Sequence, residues 1–436
     1  MKSSEGPARE AAWQWDGPVD GAGGVSGDVI GQGPDGGGPR LSRRGLLAGA
    51  GALAVGGAAW ALSRAGRGPT PGPSRPQPTG VSGPAPLWTY RGAQAMTPER
   101  LLAPPPRPVF LSKAGLQVLD PAGGDPRRLL VFDPPRPTDW PSDLELPGGK
   151  VAIGPEHLFS TESKGHLDAH HLSDPAGDWS LPLPEELQGQ CKLTGMDGGV
   201  LFGFAWGRGR PEQTSAENRV FALRPTDRSL LWSLPAVQQE LPVTPLAADG
   251  KYLACARSLG DHSLLVVRRA ADGQELWTAP GQEDLRWCAA DAGRLYLPDG
   301  TGGVRTLRVS GEPDWTASPA RGESWRALPP LPDGPQVYVP RDDGVVTAHD
   351  TETGAVRWTC RVPFLLDRRS RPLVAVGTLF VPGPAAGGVC AIDTRSGRLL
   401  WTFRDSGPGR DVWAVAVDDR RLYAGHDDVL HALPLL

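Results

Sequence analysis

Residues 348–358 read AHDTETGAVRW, and residues 391–401 read AIDTRSGRLLW. Both fit A-x-D-x-x-[ST]-G-x-x-x-W, and they begin 43 residues apart. Each fixed position has a physical job. The aspartate accepts hydrogen bonds from its own turn, as Asx turns do. The glycine supplies the positive φ that reverses the chain tightly. The tryptophan opens the next strand and offers a large apolar face to a neighbouring element. An alternating stretch, Val345-Val346-Thr347-Ala348, leads into the first copy as a strand.

Working outward, weaker copies end at Trp232 (ALRPTDRSLLW), Trp277 (VRRAADGQELW) and Trp315 (RTLRVSGEPDW). Another runs into Trp179 with a shortened turn, and VLDPAGGDPRR places Arg128 at the tryptophan position. The steps from position 128 are 51, 53, 45, 38, 43 and 43 residues. A period of about 40–50 residues marks a β-propeller, the architecture of WD40-type repeats. Upstream of the copies lie second strands: LYL at 295–297, VYV at 337–339, LFV at 379–381 and LYA at 422–424. Inner strands precede those, as at 413–417. Four short antiparallel strands make one blade.

The ends of the repeat set the count. The last repeat reaches Ala432-Leu433 without an outer strand, whereas Leu87-Trp88-Thr89-Tyr90 is an outer strand without a blade. It is similar to Leu400-Trp401-Thr402-Phe403. Docking it on the last repeat closes a ring and removes open edges. The expected fold is therefore all-β: an eight-bladed propeller of four-stranded blades, closed by an N-terminal strand and spanning residues 87–436. Seven blades is the alternative, if residues 99–180 hold one blade.

Gly (58) and Pro (47) are abundant in the 436 residues, but they concentrate in turns and in the first 85 positions. The net charge is −4 and no block of like charges occurs, which argues against a nucleic-acid partner. Residues 1–39 are polar and aperiodic, a disordered leader. In residues 40–65, Ser42-Arg43-Arg44-Gly45-Leu46-Leu47 precedes a mild Ala/Gly-rich apolar run and then Arg64. This resembles a twin-arginine export signal, a receptor-read address. Residues 45–62 are barely long enough to span a bilayer and are rich in glycine; they are the segment that contacts membrane if it is retained. Ala59-Trp60-Ala61 is a poor A-x-A cleavage site. Residues 66–86 form a Pro-rich extended linker. The expected location is extracytoplasmic, either secreted or held at the cell membrane.

The A-x-D-x-x-[ST]-G-x-x-x-W signature resembles the tryptophan-docking repeat of pyrroloquinoline-quinone (PQQ) propellers, the quinoprotein alcohol dehydrogenase-like superfamily. The resemblance covers residues 87–436, is sharp in two copies and degenerate in the rest. It implies one of two groups. Quinoprotein dehydrogenases bind the quinone at the top of the ring with calcium or a lanthanide, a catalytic aspartate and often a vicinal disulfide. Non-catalytic relatives, such as the outer-membrane assembly lipoprotein and some kinase sensor domains, keep the blades and lose the site. This chain has no adjacent cysteines, and residues 87–436 leave little room for the insertions of the enzymes. It is similar to the second group, with no cofactor expected and no enzyme activity; a divergent PQQ-dependent dehydrogenase is the alternative.

Cys191, Cys255, Cys288, Cys360 and Cys390 are odd in number and widely spaced. They read mainly as small apolar core residues, with one or two disulfides open to them outside the cell. His166, Asp168 and His170 alternate along one strand face, but such ligands lie about 7 Å apart at the usual rise and fail to converge. His262 and His426 sit by loops, where contact with water is expected. No G-x-S-x-G occurs to suggest a serine nucleophile.

The loops from outer to next inner strand share a pattern. They read EDLRW at 283–287, ESWR at 323–326, DRRSR at 367–371 and RDVW at 410–413. Antiparallel blades bring all four to one rim. Arg286, Trp287, Trp325, Arg326, Arg371, Arg410 and Trp413 are the candidate binding residues. Guanidinium groups beside aromatic faces suit anions, sugars or peptide carboxylates. The competing reading has the tryptophans packed between blades and the charges paired. Together these features describe a monomeric, exported propeller whose rim binds an envelope protein, peptide or glycan. Replacing Arg43 and Arg44 together by lysine is expected to leave the protein in the cytoplasm; fractionation checks this, and unchanged export of the double variant contradicts the assignment.

Overall fold

The computed structural model describes residues 81–435, apart from short breaks and the longer stretches 93–99, 103–107, 132–150, 207–217 and 243–250. The export segment and both arginines of its motif lie outside the described residues. Among the described residues, no helix is long and apolar enough to cross a membrane.

Among the described residues, thirty-two strands form eight four-stranded antiparallel sheets. We number them blade 1 (residues 100–131), blade 2 (151–182), blade 3 (190–235), blade 4 (240–280), blade 5 (289–317), blade 6 (331–361), blade 7 (373–403) and blade 8 (414–434 with 88–91). The stretch from 99 to 180 thus holds two blades. Within each of blades 1–7 the strands run in sequence order from the channel outward. Blade 8 takes its fourth strand, Trp88–Arg91, from the other end of the propeller, in the register Trp88↔Ala432 and Thr89↔His431. The inner strand of blade 1, Arg100–Leu102, lies against that of blade 8, Ala414–Val417, which completes the ring.

The core lies between blades. Each buried cluster draws on two neighbours: Phe159 and Leu167 of blade 2 meet Leu201 and Phe221 of blade 3. Val346 and Trp358 of blade 6 meet Leu379 and Ile392 of blade 7 in the same way. No blade can bury both of its faces alone, so closure stabilises the whole ring.

The repeated tryptophans lock each blade to the next. The indole N–H of Trp315 (blade 5) donates to Thr351 O of blade 6 at 3.0 Å. Trp358 donates to Thr394 O of blade 7 at 2.8 Å, Trp232 to Ala270 O at 2.8 Å, and Trp277 to Val309 O at 2.7 Å. Trp88 does the same across the closure, to Pro121 O of blade 1 at 2.9 Å. The turn glycine lies under each ring. A Cβ on Gly354 (φ +69) would come within 2.6 Å of the Trp315 ring, and one on Gly397 (φ +70) within 2.6 Å of Trp358. The glycine is thus required twice, for the left-handed turn and for the flat approach of the indole. Asp350 holds the same turn by accepting from the N–H groups of Glu352 (3.0 Å) and Thr353 (2.9 Å).

Two degenerate positions replace this lock with a cation. Arg128, in the tryptophan slot of blade 1, donates to His171 O of blade 2 and meets Asp178 through both guanidinium nitrogens, at 3.1 and 2.7 Å. Burial pushes the Asp178 carboxyl up, but Arg128 and the His171 N–H outweigh it and hold the pKa at about 2. Between blades 2 and 3 the turn residue is Arg228 in place of glycine. It takes φ +56 and lays its guanidinium over the Trp179 ring at 5.0 Å.

Two tests follow from this construction. Deleting residues 1–92 removes the closing strand and is expected to cause aggregation, whereas deleting residues 1–80 leaves the melting temperature unchanged; equal solubility and melting for both contradicts the shared blade. Gly354 and Gly334 both have positive φ (+69 and +55), but a Cβ on Gly334 meets nothing within 4 Å. Alanine at Gly334 should therefore cost only the left-handed penalty of about 1–2 kcal/mol. Alanine at Gly354 should cost about 1–3 kcal/mol more, because the Trp315 ring must move. Denaturant unfolding measures the difference, and equal costs mean that the ring contact contributes nothing.

Candidate binding rim

Outer-to-inner loops and the turns between second and third strands emerge on the same rim, because consecutive strands alternate in direction. Strand direction puts these loops on one rim, but the structure reassigns their tryptophans. Trp287 and Trp325 are each only 8% exposed and Trp413 is 1% exposed. Their faces are not available to a ligand, which corrects the expected aromatic lining. Trp287 and Trp413 stand two residues and one residue before the inner strands Ala289–Ala290 and Ala414–Val417, and Trp325 six residues before Leu331–Asp333. Trp287 and Trp325 share a cluster with Tyr296 and Val337. Trp413 donates its indole N–H to Ala385 O at 3.0 Å. The signal that distinguishes them is position: Trp413 immediately precedes the strand Ala414–Val417.

The charged residues divide. Arg286 and Arg410 lie outside the described residues. Arg326 is exposed, and its backbone is fixed by Asp342, whose carboxylate accepts from Arg326 N at 2.8 Å. Arg371 is half-buried. Arg341, which the loop pattern did not single out, covers the Trp325 ring at 4.2 Å and pairs with Asp343. Glu323 accepts from the Trp325 indole N–H at 2.9 Å, and that bond holds its carboxyl below the usual range.

The loop between blades 6 and 7 shows how a rim residue can be exposed without being loose. Val362 N donates to Gly344 O at 2.9 Å, and Leu366 N to Asp342 O at 3.3 Å. The Phe364 ring lies against Gly383 and Gly387, where added Cβ atoms would come within 2.4 and 2.6 Å of it. Asp367 caps the end of the loop, accepting from Arg369 N at 2.7 Å. Between these anchors Leu365 is 70% exposed. Nothing in the loop's sequence separates Leu365 from Leu366, which is buried; only the path of the backbone does.

The remaining sequence candidates are not gathered into a site. His166 and His170 share a face but turn to different partners, Ser180 Oγ at 3.3 Å and Asp178 at 3.4 Å. All five cysteines are buried. Burial pushes the thiols of Cys191 and Cys390 up to about 12 and that of Cys360 to about 11, which suits core packing rather than nucleophilic attack. His426 was expected at the water boundary, but it is buried in a polar network with Asp405 and His431. His262 lies outside the described residues.

Comparisons with known proteins agree with the propeller fold. A family model described as outer membrane protein assembly factor BamB matches residues 300–433, which hold blades 5 (in part) through 8. Within that stretch the repeats are similar to those of PQQ-like propellers. No curated protein matches the chain. Among solved structures, the computationally designed Ika8 protein aligns with a TM-score of 0.59 at 16% identity, over 80% of this chain and 99% of its own. Sqt1 of Saccharomyces cerevisiae aligns with a TM-score of 0.52 at 12% identity, over 82% of this chain and 100% of its own. BamB from Moraxella catarrhalis aligns with a TM-score of 0.44 at 14% identity, over 65% and 96%. The first two similarities concern the fold.

Proposed function

We propose that this chain is an exported, non-enzymatic propeller that binds a protein in the cell envelope through the rim of blades 5–7. One observation carries the reading: Leu365 is held out into solvent by a loop anchored on both sides of it. The fold gains nothing from exposing a leucine there, and loops on a rigid scaffold are where binding residues concentrate. Exposed Arg326 and half-buried Arg371 are the cationic candidates on this rim. An apolar anchor with guanidinium groups suits a peptide segment better than a sugar, whose hydroxyls need many polar partners. The match of residues 300–433 to a family named for outer membrane protein assembly supports an envelope location and a protein ligand. The Arg43-Arg44 segment supports export before binding.

A photo-crosslinking residue at position 365 should capture an envelope protein in cells, while the same probe at Val356, 58% exposed on an outer strand, should not. Leu365→Ala should then weaken the purified complex by about 1.5–3 kcal/mol, the value of one buried leucine. That is roughly ten- to hundredfold in Kd. The melting temperature should not change. Equal crosslinking at both positions, or unaltered affinity of the variant, rejects this rim as the docking face.

A further inference from the structure

The chain ahead of the ring makes two strand additions. Residues 81–83 run parallel to the outer strand of blade 7, with Gly83 N donating to Thr402 O at 2.9 Å and Thr402 N to Val81 O at 3.1 Å. Trp88–Arg91 then adds antiparallel to blade 8. The two together clasp the last two blades.

Behind the clasp runs a chain of polar side chains, from exposed Thr89 through buried His431 and His426 to half-buried Asp405 and Asp427. Thr89 stands directly opposite His431, with its hydroxyl 2.9 Å from His431 Nδ1. His431 Nε2 lies 3.2 Å from one oxygen of Asp405, and His426 Nε2 lies 3.0 Å from the other. His426 Nδ1 is 2.7 Å from Asp427. The rings of Phe403 and Trp413 close over His431 at 5.2 and 6.0 Å.

The acceptors fix the proton count. The Asp405 carboxylate can only accept, so His431 carries its hydrogen on Nε2 and leaves Nδ1 to accept from the Thr89 hydroxyl. A neutral ring therefore satisfies both of its partners. A second proton would place a cation in a buried site. The groups that face His431 are Asp405, His426 and Arg91. Burial pushes its pKa below the ordinary value and outweighs the pull of Asp405, while His426 and Arg91 act in the same direction as burial. Burial pushes Asp405 the other way, but the bonds from His426, Gly407 N and His431 hold its carboxyl low, so it stays ionised as the acceptor. His426 stands on the second strand of blade 8, Arg421–His426, which pairs with its neighbours inside the blade and not with the clasp. Opening the clasp thus removes Thr89 from His431 Nδ1, freeing that nitrogen to solvent and to a second proton, and leaves His426 in place.

We propose that the N-terminal clasp is a pH-sensitive latch, which closes on neutral His431 and loosens when that ring takes a second proton. Closing lowers the proton affinity of His431, so the open form binds more protons. The clasp is at full strength above the ordinary histidine value of about 6.5, and it weakens as pH falls below that. At about pH 5 the open-to-closed ratio can rise by at most about thirtyfold, the limit for a ring that stays neutral while closed.

Amide hydrogen exchange of the full chain at about pH 7.5 and about pH 5, corrected for intrinsic rates, tests the latch. Protection of residues 88–91 should fall by several-fold and no more than about thirtyfold on acidification, while that of the blade 6 strands Gln336–Pro340 and Val345–Asp350 holds. In His431→Gln the protection of residues 88–91 should be the same at both pH values. Clasp protection that does not change in the wild type, or that falls equally in blade 6, overturns the proposal. So does full pH dependence in His431→Gln. If that variant does not fold, the wild-type comparison of the two regions decides alone.

Discussion

The indole of one blade lying on the turn glycine of the next is the contact from which the rest of the structure follows. It joins three requirements in one place. The turn must reverse the chain with positive φ, the next blade needs a large apolar face, and a turn carbonyl needs a donor. Gly354 and Trp315 meet all three, with the ring close enough to exclude a Cβ and its N–H 3.0 Å from Thr351 O. Because each contact links one blade to its neighbour, blades cannot slide or rotate independently. The spacing of the contacts is the repeat length itself. Where the tryptophan or the turn glycine is replaced, an arginine keeps part of the contact. Arg128 still donates to the turn carbonyl of the next blade, and Arg228 still covers the ring before it.

A ring built from nearest-neighbour contacts needs one contact that is not local, and the chain makes it between residues 88–91 and 429–432. There the tryptophan contact of Trp88 with blade 1 coincides with the strand pairing of blade 8, so closure uses the same interaction as every other junction. What differs is the polar filling. Blade 8 buries two histidines, His426 and His431, that share the carboxylate of Asp405. Buried polar groups with every partner in place specify one arrangement, and an incomplete set is costly. The junction that the ends of the ring must find thus carries its own penalty for incomplete docking.

What could be read from the sequence was what is encoded locally. The aspartate, glycine and tryptophan of one hairpin lie within eleven positions, so two clear copies revealed the blade and the weaker ones followed by spacing. The closing strand was legible because Leu87-Trp88-Thr89-Tyr90 resembles an outer strand elsewhere in the chain. The site was less legible, for a physical reason. Arginine beside tryptophan on a loop looks like a binding pair, but side-chain direction depends on where the backbone turns inward. Trp287, Trp325 and Trp413 are turned into the clusters between blades, whereas Leu365 sits at a loop crest and is exposed. The Asp405–His431 contact joins residues 26 positions apart in different blades' segments, and no periodic pattern announces it.

These distinctions narrow where function can reside. Turns on the far rim carry the Asp and Gly residues that reverse the chain and receive the tryptophans, so their side chains are committed to the fold. On the near rim, the loop tryptophans are committed as well, each buried in a cluster that spans two blades. What remains free to vary is the crest of each outer-to-inner loop, above its last buried anchor. In the loop between blades 6 and 7 that crest is a single leucine, with Phe364 and Leu366 pinned on either side. Pre-organisation of this kind lowers the ordering cost of binding, because the backbone that presents the leucine is already fixed. A scaffold that spends its aromatic residues on rigidity can therefore recognise a partner with few exposed apolar groups.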